Sequence, residues 1–164
     1  MRTFPFKISV LVFVRDVKGR FLLIERAKNP NKGAWSPIGG KLEMGEGESP
    51  FECAVRETRE EIGLDLSAGD LHLFCMVSER AYEGDTNWLM FLFDCRKRID
   101  ALPPRMGEGR FGLFDESEIA SLKIPETDRK MLWQAWGRYA QSGFAAMRVD
   151  CGGGELNFIV EEEL

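Results

Sequence analysis

"GGKLEMGEGESPFECAVRETREEIGL", residues 39–64, is the stretch on which the reading of this chain turns. It opens on two glycines, passes through a loop holding Glu43, Glu46 and Glu48, and enters a helix that is signalled at both ends. Ser49 is placed as N-cap, Pro50 at N1 and Glu52 at N3, the pattern of a capping box. Gly63 supplies the stop. Between them Phe51, Ala54, Val55, Thr58 and Ile62 fall on one helical stripe, suited to packing on a sheet. At about 100° per residue Glu57, Glu60 and Glu61 cluster on another face. Like charges at such spacing repel. The cluster is therefore either an ordinary solvated face or the seat of a cation.

The flanking sequence alternates strands and helices. Residues 6–15, "FKISVLVFVR", and 20–27, "RFLLIERA", are apolar and β-branched, with the turn "DVKG" between them, so they predict a hairpin. "DLHLFCMVSER" (70–80) and "NWLMFLFDCRKR" (87–98) predict two more strands, with "AYEGDT" as a loop. "RFGLF" (110–114) predicts a short strand, and Asp115 caps a short helix. Residues 126–142, ending before Gly143, predict a second long helix. The tail predicts a β-hairpin over 144–160, turning at Gly152–Gly154. This order predicts one domain over 1–164, an α/β (α+β) fold in which a mixed sheet carries helices on its faces.

Composition excludes several functions. The chain has 164 residues, 44% hydrophobic and 30% charged, with a net charge of −5 and no strongly basic stretch. Tight binding to a nucleic-acid polymer requires a clustered basic footprint, which is missing. The apolar runs are too short to span a bilayer, and the N-terminus lacks the pattern of a signal peptide. Cys53, Cys75, Cys95 and Cys151 are far apart, with no CxxC pair, which predicts reduced thiols and a cytoplasmic location. His72 is the only histidine. Histidine-cluster metal sites are therefore out, and carboxylates are the expected chemical groups.

"GGK" does not begin a P-loop, because Trp35 and Leu42 stand where that motif needs Gly and Ser or Thr. The EF-hand pattern is also missing. Hard oxygen donors with glycines nearby instead suit Mg²⁺, which combines a few carboxylates with waters and substrate phosphates. Arg56 is spaced to pair with Glu52 or Glu60.

These residues resemble the signature of the Nudix (MutT-like) hydrolases. Glu48 is followed, after seven residues, by Arg56-Glu57-Thr58-Arg59-Glu60-Glu61-Ile62-Gly63-Leu64. There are two departures. The spacing from Gly40 to Glu48 is longer than the family's by two residues, and Thr58 stands where an aliphatic is usual. Glu46 sits at the family's distance from Gly40; Glu48 is preferred because its spacing to Arg56 fits.

The resemblance implies a Nudix fold, a mixed sheet sandwiched between helices (α/β/α), and Mg²⁺ or Mn²⁺ held by the Gly40 carbonyl, Glu57, Glu60 and Glu61, with Glu48 as the loop glutamate. It implies Arg56 and Glu57 in the catalytic machinery and Glu108, in a late loop, as base or extra ligand; the choice between Glu57 and Glu108 as base stays open. Arg26, Trp35, Lys41 and Tyr82 are the candidate substrate contacts. The implied reaction is hydrolysis of a phosphoanhydride in a small nucleotide. ADP-ribose-cleaving members tend to carry a proline shortly after the box, and there is none from Asp65 to Leu102. A nucleoside triphosphate, normal or oxidised, cleaved to monophosphate and pyrophosphate, is favoured. Dinucleoside polyphosphates, nucleotide sugars and a non-catalytic nucleotide-sensing module are the alternatives. The C-terminal hairpin offers a surface for a homodimer.

Overall fold

The computed structural model describes residues 3–29, 31–105 and 109–164. Strands β1 (Phe6–Phe13), β4 (Ile38–Lys41), β5 (Leu71–Tyr82), β6 (Thr86–Cys95), β8 (Ala145–Asp150) and β9 (Asn157–Glu163) form a six-stranded sheet. Its order is β4-β1-β6-β5-β8-β9. The β1–β6 and β5–β8 pairs are parallel and the others antiparallel. Strands β2 (Phe21–Arg26), β3 (Trp35–Ser36) and β7 (Gly109–Phe114) form a second, antiparallel sheet in the order β3-β2-β7. Helix α1 (Pro50–Ile62) covers one face of the large sheet, and α3 (Trp133–Tyr139) packs on the other; the short α2 (Glu116–Ile119) lies between β7 and α3 in the chain.

Strand β1 shows why the sheet is covered twice. Val10, Val12 and Val14 share a core with Cys53 and Ala54 of α1. Leu11 and Phe13, of opposite parity, pack in the core that holds Leu132 and Ala135. A strand that is apolar on both faces belongs inside a sheet. This corrects the expected hairpin of β1 with β2. Both edges of β1 are taken by β4 and β6, and the chain crosses to the other sheet at Phe21. Among the described residues the two segments are linked by the Arg15–Phe21 bridge and by hydrogen bonds from the Asp16 N–H to the Arg20 carbonyl and from the Leu22 N–H to the Val14 carbonyl (2.9 Å each), not by a strand pairing.

Two further expectations change. The segment 81–86 is not an open loop: β5 runs to Tyr82, and β6 starts at Thr86. The chain reverses through Glu83 (φ 51°) and Gly84 (φ 79°), the consecutive left-handed residues of a tight hairpin turn. The late helix is not regular either. It starts at residue 126, passes through a π-helical turn at Asp128–Leu132 before α3, and ends at Tyr139. An inserted residue of this kind shifts the side chains that precede it.

Among the polar groups within the core, Asp94 of β6 is fully buried, and it accepts hydrogen bonds from Arg15, Arg96 and the Trp136 indole. His72 serves structure: its Nε2 lies 2.8 Å from the Gly143 carbonyl. All four cysteines are free, and burial pushes the Cys53 and Cys75 thiols up to about 12. No helix among the described residues is long and apolar enough to cross a membrane.

Candidate active site

Helix α1 is built as its sequence suggests. The Ser49 hydroxyl accepts from the Glu52 N–H (3.2 Å), and the Glu52 carboxylate accepts from the Ser49 N–H (2.8 Å). Gly63 closes the helix at φ 70°, with its N–H on the Arg59 carbonyl. Thr58 is buried on the core face, where its hydroxyl donates to the Ala54 carbonyl at 2.7 Å. That bond lets a hydroxyl occupy an otherwise apolar position.

Arg56 is the hub of the acidic face. It donates two parallel bonds to Glu48, from Nε (2.6 Å) and Nη2 (2.9 Å). Its Nη1 reaches Glu57 (2.8 Å) and Glu60 (3.2 Å), and its Nη2 also meets the Lys41 carbonyl (3.2 Å). Paired, charge-assisted bonds of this geometry are the strong ones. The Arg56 guanidinium holds the Glu48 carboxyl down to about 2, assisted by the Glu43 N–H. Arg56 in turn is pushed above its ordinary value, first by Glu48. Arg56 thus meets Glu48, Glu57 and Glu60 at once and relieves part of the repulsion on this face.

A cleft of about 560 Å³ runs from this face across the large sheet. That volume suits a small organic ligand. Gly40, Lys41, Arg56, Glu57 and Glu61 line it at the α1 side, and Arg26 and Tyr82 line it further along. Glu48 is not among the residues lining the cleft; its carboxylate pairs with Arg56. Glu60 is more open than Glu57, with 57% of its side chain exposed against 15%. Trp35 does not line the cleft; its ring packs edge-on against Phe114, 4.8 Å between centroids, with Arg110 over it. Glu108 lies outside the described residues.

The two glycines of β4 face different neighbours. A Cβ on Gly40 would sit 2.1 Å from a Glu57 carboxylate oxygen, and one on Gly39 would sit 2.0 Å from the Val10 carbonyl oxygen. The first clash is with a side-chain tip, the second with the backbone of β1. Gly40→Ala is therefore expected to fold and to lose turnover by about tenfold or more as Glu57 is displaced. Gly39→Ala should cost about 1–3 kcal/mol of stability by overpacking the β1–β4 pair. Thermal melts and rates of both variants test this; matching behaviour of the two would sink it.

The donors fit a hard divalent ion. The carboxylates of Glu57 and Glu61 share the cleft wall with Gly40, whose carbonyl faces Cys53 of α1 at 3.9 Å. Oxygen-only donors suit Mg²⁺ or Mn²⁺. Among the described residues no three acidic, thiol or imidazole side chains are gathered closely enough to hold an ion by themselves. An ion here would complete its shell with water and ligand phosphates, the usual habit of Mg²⁺.

Further lining residues went unmarked in the sequence: Asn31, Glu79 and Asp128. Glu79 had a signal, since it follows Cys75 and Val77 on the buried face of β5, where alternation calls for an apolar residue. Trp88 is also in the cleft lining, although its apolar surroundings point to core.

The family model for the NUDIX domain matches residues 5–134. The chain is similar to the dihydroneopterin triphosphate diphosphatase of Escherichia coli (strain K12), 35% identical over 69 residues, which is 42% of this chain and 43% of that protein. It is also similar to the CTP pyrophosphohydrolase of the same organism, 36% identical over 64 residues, 38% of this chain and 46% of that protein. Each match spans less than half of the relative's length. The fold is similar to that of the MutT protein from Bacillus halodurans, with a TM-score of 0.74 and 21% identity, covering 94% of this chain and 97% of that one.

Proposed function

The chain belongs to the NUDIX domain family, and from that premise we propose that it is a divalent-metal-dependent hydrolase of phosphoanhydride bonds in nucleotide derivatives. The favoured substrate is a nucleoside triphosphate, cleaved to monophosphate and pyrophosphate. The observation that carries this reading is the single cleft joining the acidic face of α1 to a polar recess three strands away. Relatives named for dihydroneopterin triphosphate and CTP support a triphosphate.

Glu57, Glu61 and the Gly40 carbonyl would hold Mg²⁺ or Mn²⁺, with Glu60 beside them. A bound divalent ion neutralises phosphate charge and lowers the pKa of a water. The chain supplies the rest. Glu48 locks Arg56, and Arg56 fixes the Glu57 carboxylate at 2.8 Å, so the base or ligand is oriented before substrate arrives. Glu57 then accepts a proton from the attacking water, with Glu108 as the other candidate for that task. Arg26 and Lys41 bring positive charge to the cleft wall for the phosphates. A nucleotide-sensing module without turnover is the second reading; the intact set of Glu57, Glu60 and Glu61 argues against it.

The test is incubation with Mg²⁺ and a panel of nucleoside triphosphates, nucleotide sugars, ADP-ribose and dinucleoside polyphosphates, with and without chelator. Cleavage of one group that chelator abolishes is the expected result. Binding without turnover of any member would replace the hydrolase with the sensor.

A further inference from the structure

The family model stops at residue 134, and β8 and β9 lie beyond it. They extend the large sheet past β5, and the outer edge of β9 meets no strand among the described residues. An edge strand presents a row of backbone donors and acceptors, and proteins blunt it with charge, proline or a bulge. In β9 those devices stand only at its end. The register with β8 passes from Val160 to Glu162, so Glu161 is a bulge, and Glu162 and Glu163 follow it. The stretch before them, Asn157-Phe158-Ile159-Val160, holds no charge and no proline. Ile159 and Val160 are 37% and 47% exposed and point to opposite faces of the strand.

A hollow of about 130 Å³ adjoins this edge, lined by Arg80, Arg148, Asp150, Asn157 and Ile159. Arg148 is in register with Ile159, and Asp150 with Asn157 and Arg80, so these side chains share one sheet face. Arg80 donates to Asp150 at 3.3 Å. Arg148 stands 3.7 Å from Glu161, beyond hydrogen-bond reach. Two guanidiniums against one carboxylate leave the hollow open to an anionic group.

We propose that β9 pairs antiparallel with β9 of a second copy of this chain, about a two-fold axis at Ile159, and joins two six-stranded sheets into one. Two-fold contacts are the commonest between identical chains, and residue i then meets residue j reciprocally. An axis perpendicular to the sheet preserves its faces, so it falls where a residue meets its own copy. Centred on Val160, the pairing sets Ile159 against Glu161 and Phe158 against Glu162. Centred on Phe158, it sets Glu155 against Glu161, and like charges directly opposite destabilise a pair. Centred on Ile159, it sets Ile159 on Ile159, Phe158 on Val160 and Asn157 on Glu161. The apolar residues then meet one another on both faces. Glu161 of each copy lands beside Asn157 of the other, at the rim of the hollow that holds the two arginines. Neither β8 nor β9 lines the cleft, so the contact is independent of the hydrolase reading.

Five paired residues span about 17 Å, a small interface that makes a weak, reversible dimer. Sedimentation velocity of the protein from about 10 to 500 µM should show monomer giving way to dimer. Ile159→Lys sets two like charges opposite each other at the axis and should raise Kd by about tenfold or more. Glu161→Lys brings a cation to the arginines and should weaken the dimer as well. Register is read by cross-linking in a Cys151→Ser background. Residues opposite each other in an antiparallel pair have Cα atoms about 4.5–5.5 Å apart, within disulfide range. The two Val160 positions would be roughly 8 Å apart, outside it. Under mild oxidation Ile159→Cys should therefore link two chains, and Val160→Cys should not. Monomer alone at the highest concentration, a dimer that Ile159→Lys leaves intact, or faster linking through Val160→Cys would overturn the proposal. Should Ile159→Lys melt well below the parent, the cross-link decides.

Discussion

Glu57→Gln is expected to lower kcat by about 10²–10³-fold while the protein folds normally. The change keeps size and one oxygen and removes one charge. Three consequences converge on the same loss. An ion at the α1 end of the cleft loses its best-placed carboxylate, since Glu57 lines the wall against Gly40. Arg56 loses a charged partner at 2.8 Å and is left with Glu48 and Glu60. A base able to take a proton from water becomes an amide that cannot. Stability should move by no more than about 1 kcal/mol, because the lost attraction is set against relief of repulsion from Glu60 and Glu61. Rates at saturating Mg²⁺ alongside a melt by circular dichroism decide it. Full turnover in the variant would remove Glu57 from the machinery.

The second large effect lies outside the cleft. Asp94→Ala should cost about 3–5 kcal/mol, because it breaks a buried charge network from one side. The Asp94 carboxylate is fully buried and accepts from Arg15 Nη2 (2.9 and 3.0 Å), Arg96 Nη1 (2.8 Å) and Trp136 Nε1 (3.0 Å). Arg15 suffers most from its removal. Burial already holds that guanidinium below its ordinary range, and Asp94 is the main influence opposing this. Without Asp94 the Arg15 charge sits over the Trp136 ring, 5.1 Å from its centroid, with no anion to balance it. At roughly 2–4 °C per kcal/mol the melting temperature should fall by about 10 °C. Adding Arg15→Met should restore part of the loss, since an apolar replacement of both partners is tolerated better than half a pair. A fall of only a degree or two in the single variant would show that water or a neighbour takes over the role of Asp94.

Local signals in the chain were enough for everything that depends on neighbours in sequence. The capping box of Ser49 and Glu52, the Gly63 stop and the 3.6-residue stripe of α1 act within a turn or two of helix. Their outcome is therefore written in residues 49–63. The same holds for most strands, for the mixed α/β/α arrangement and for the family, since the Glu48–Leu64 spacing is itself the signature. Pairing between distant segments was not legible in this way. β1 and β2 look like a hairpin because they adjoin, yet β1 is apolar on both faces and both its edges go to partners far along the chain. The same limit hid the far end of the cleft. Glu79 and Asp128 are 49 positions apart in the chain, and each alone is an unremarkable acid. A π-helical turn that the helix pattern does not announce brings Asp128 to the wall that Glu79 lines. Burial there pushes Glu79 up to about 8 and Asp128 up to about 7, a property of the packed sheet and helix that neither strand nor helix sequence carries separately.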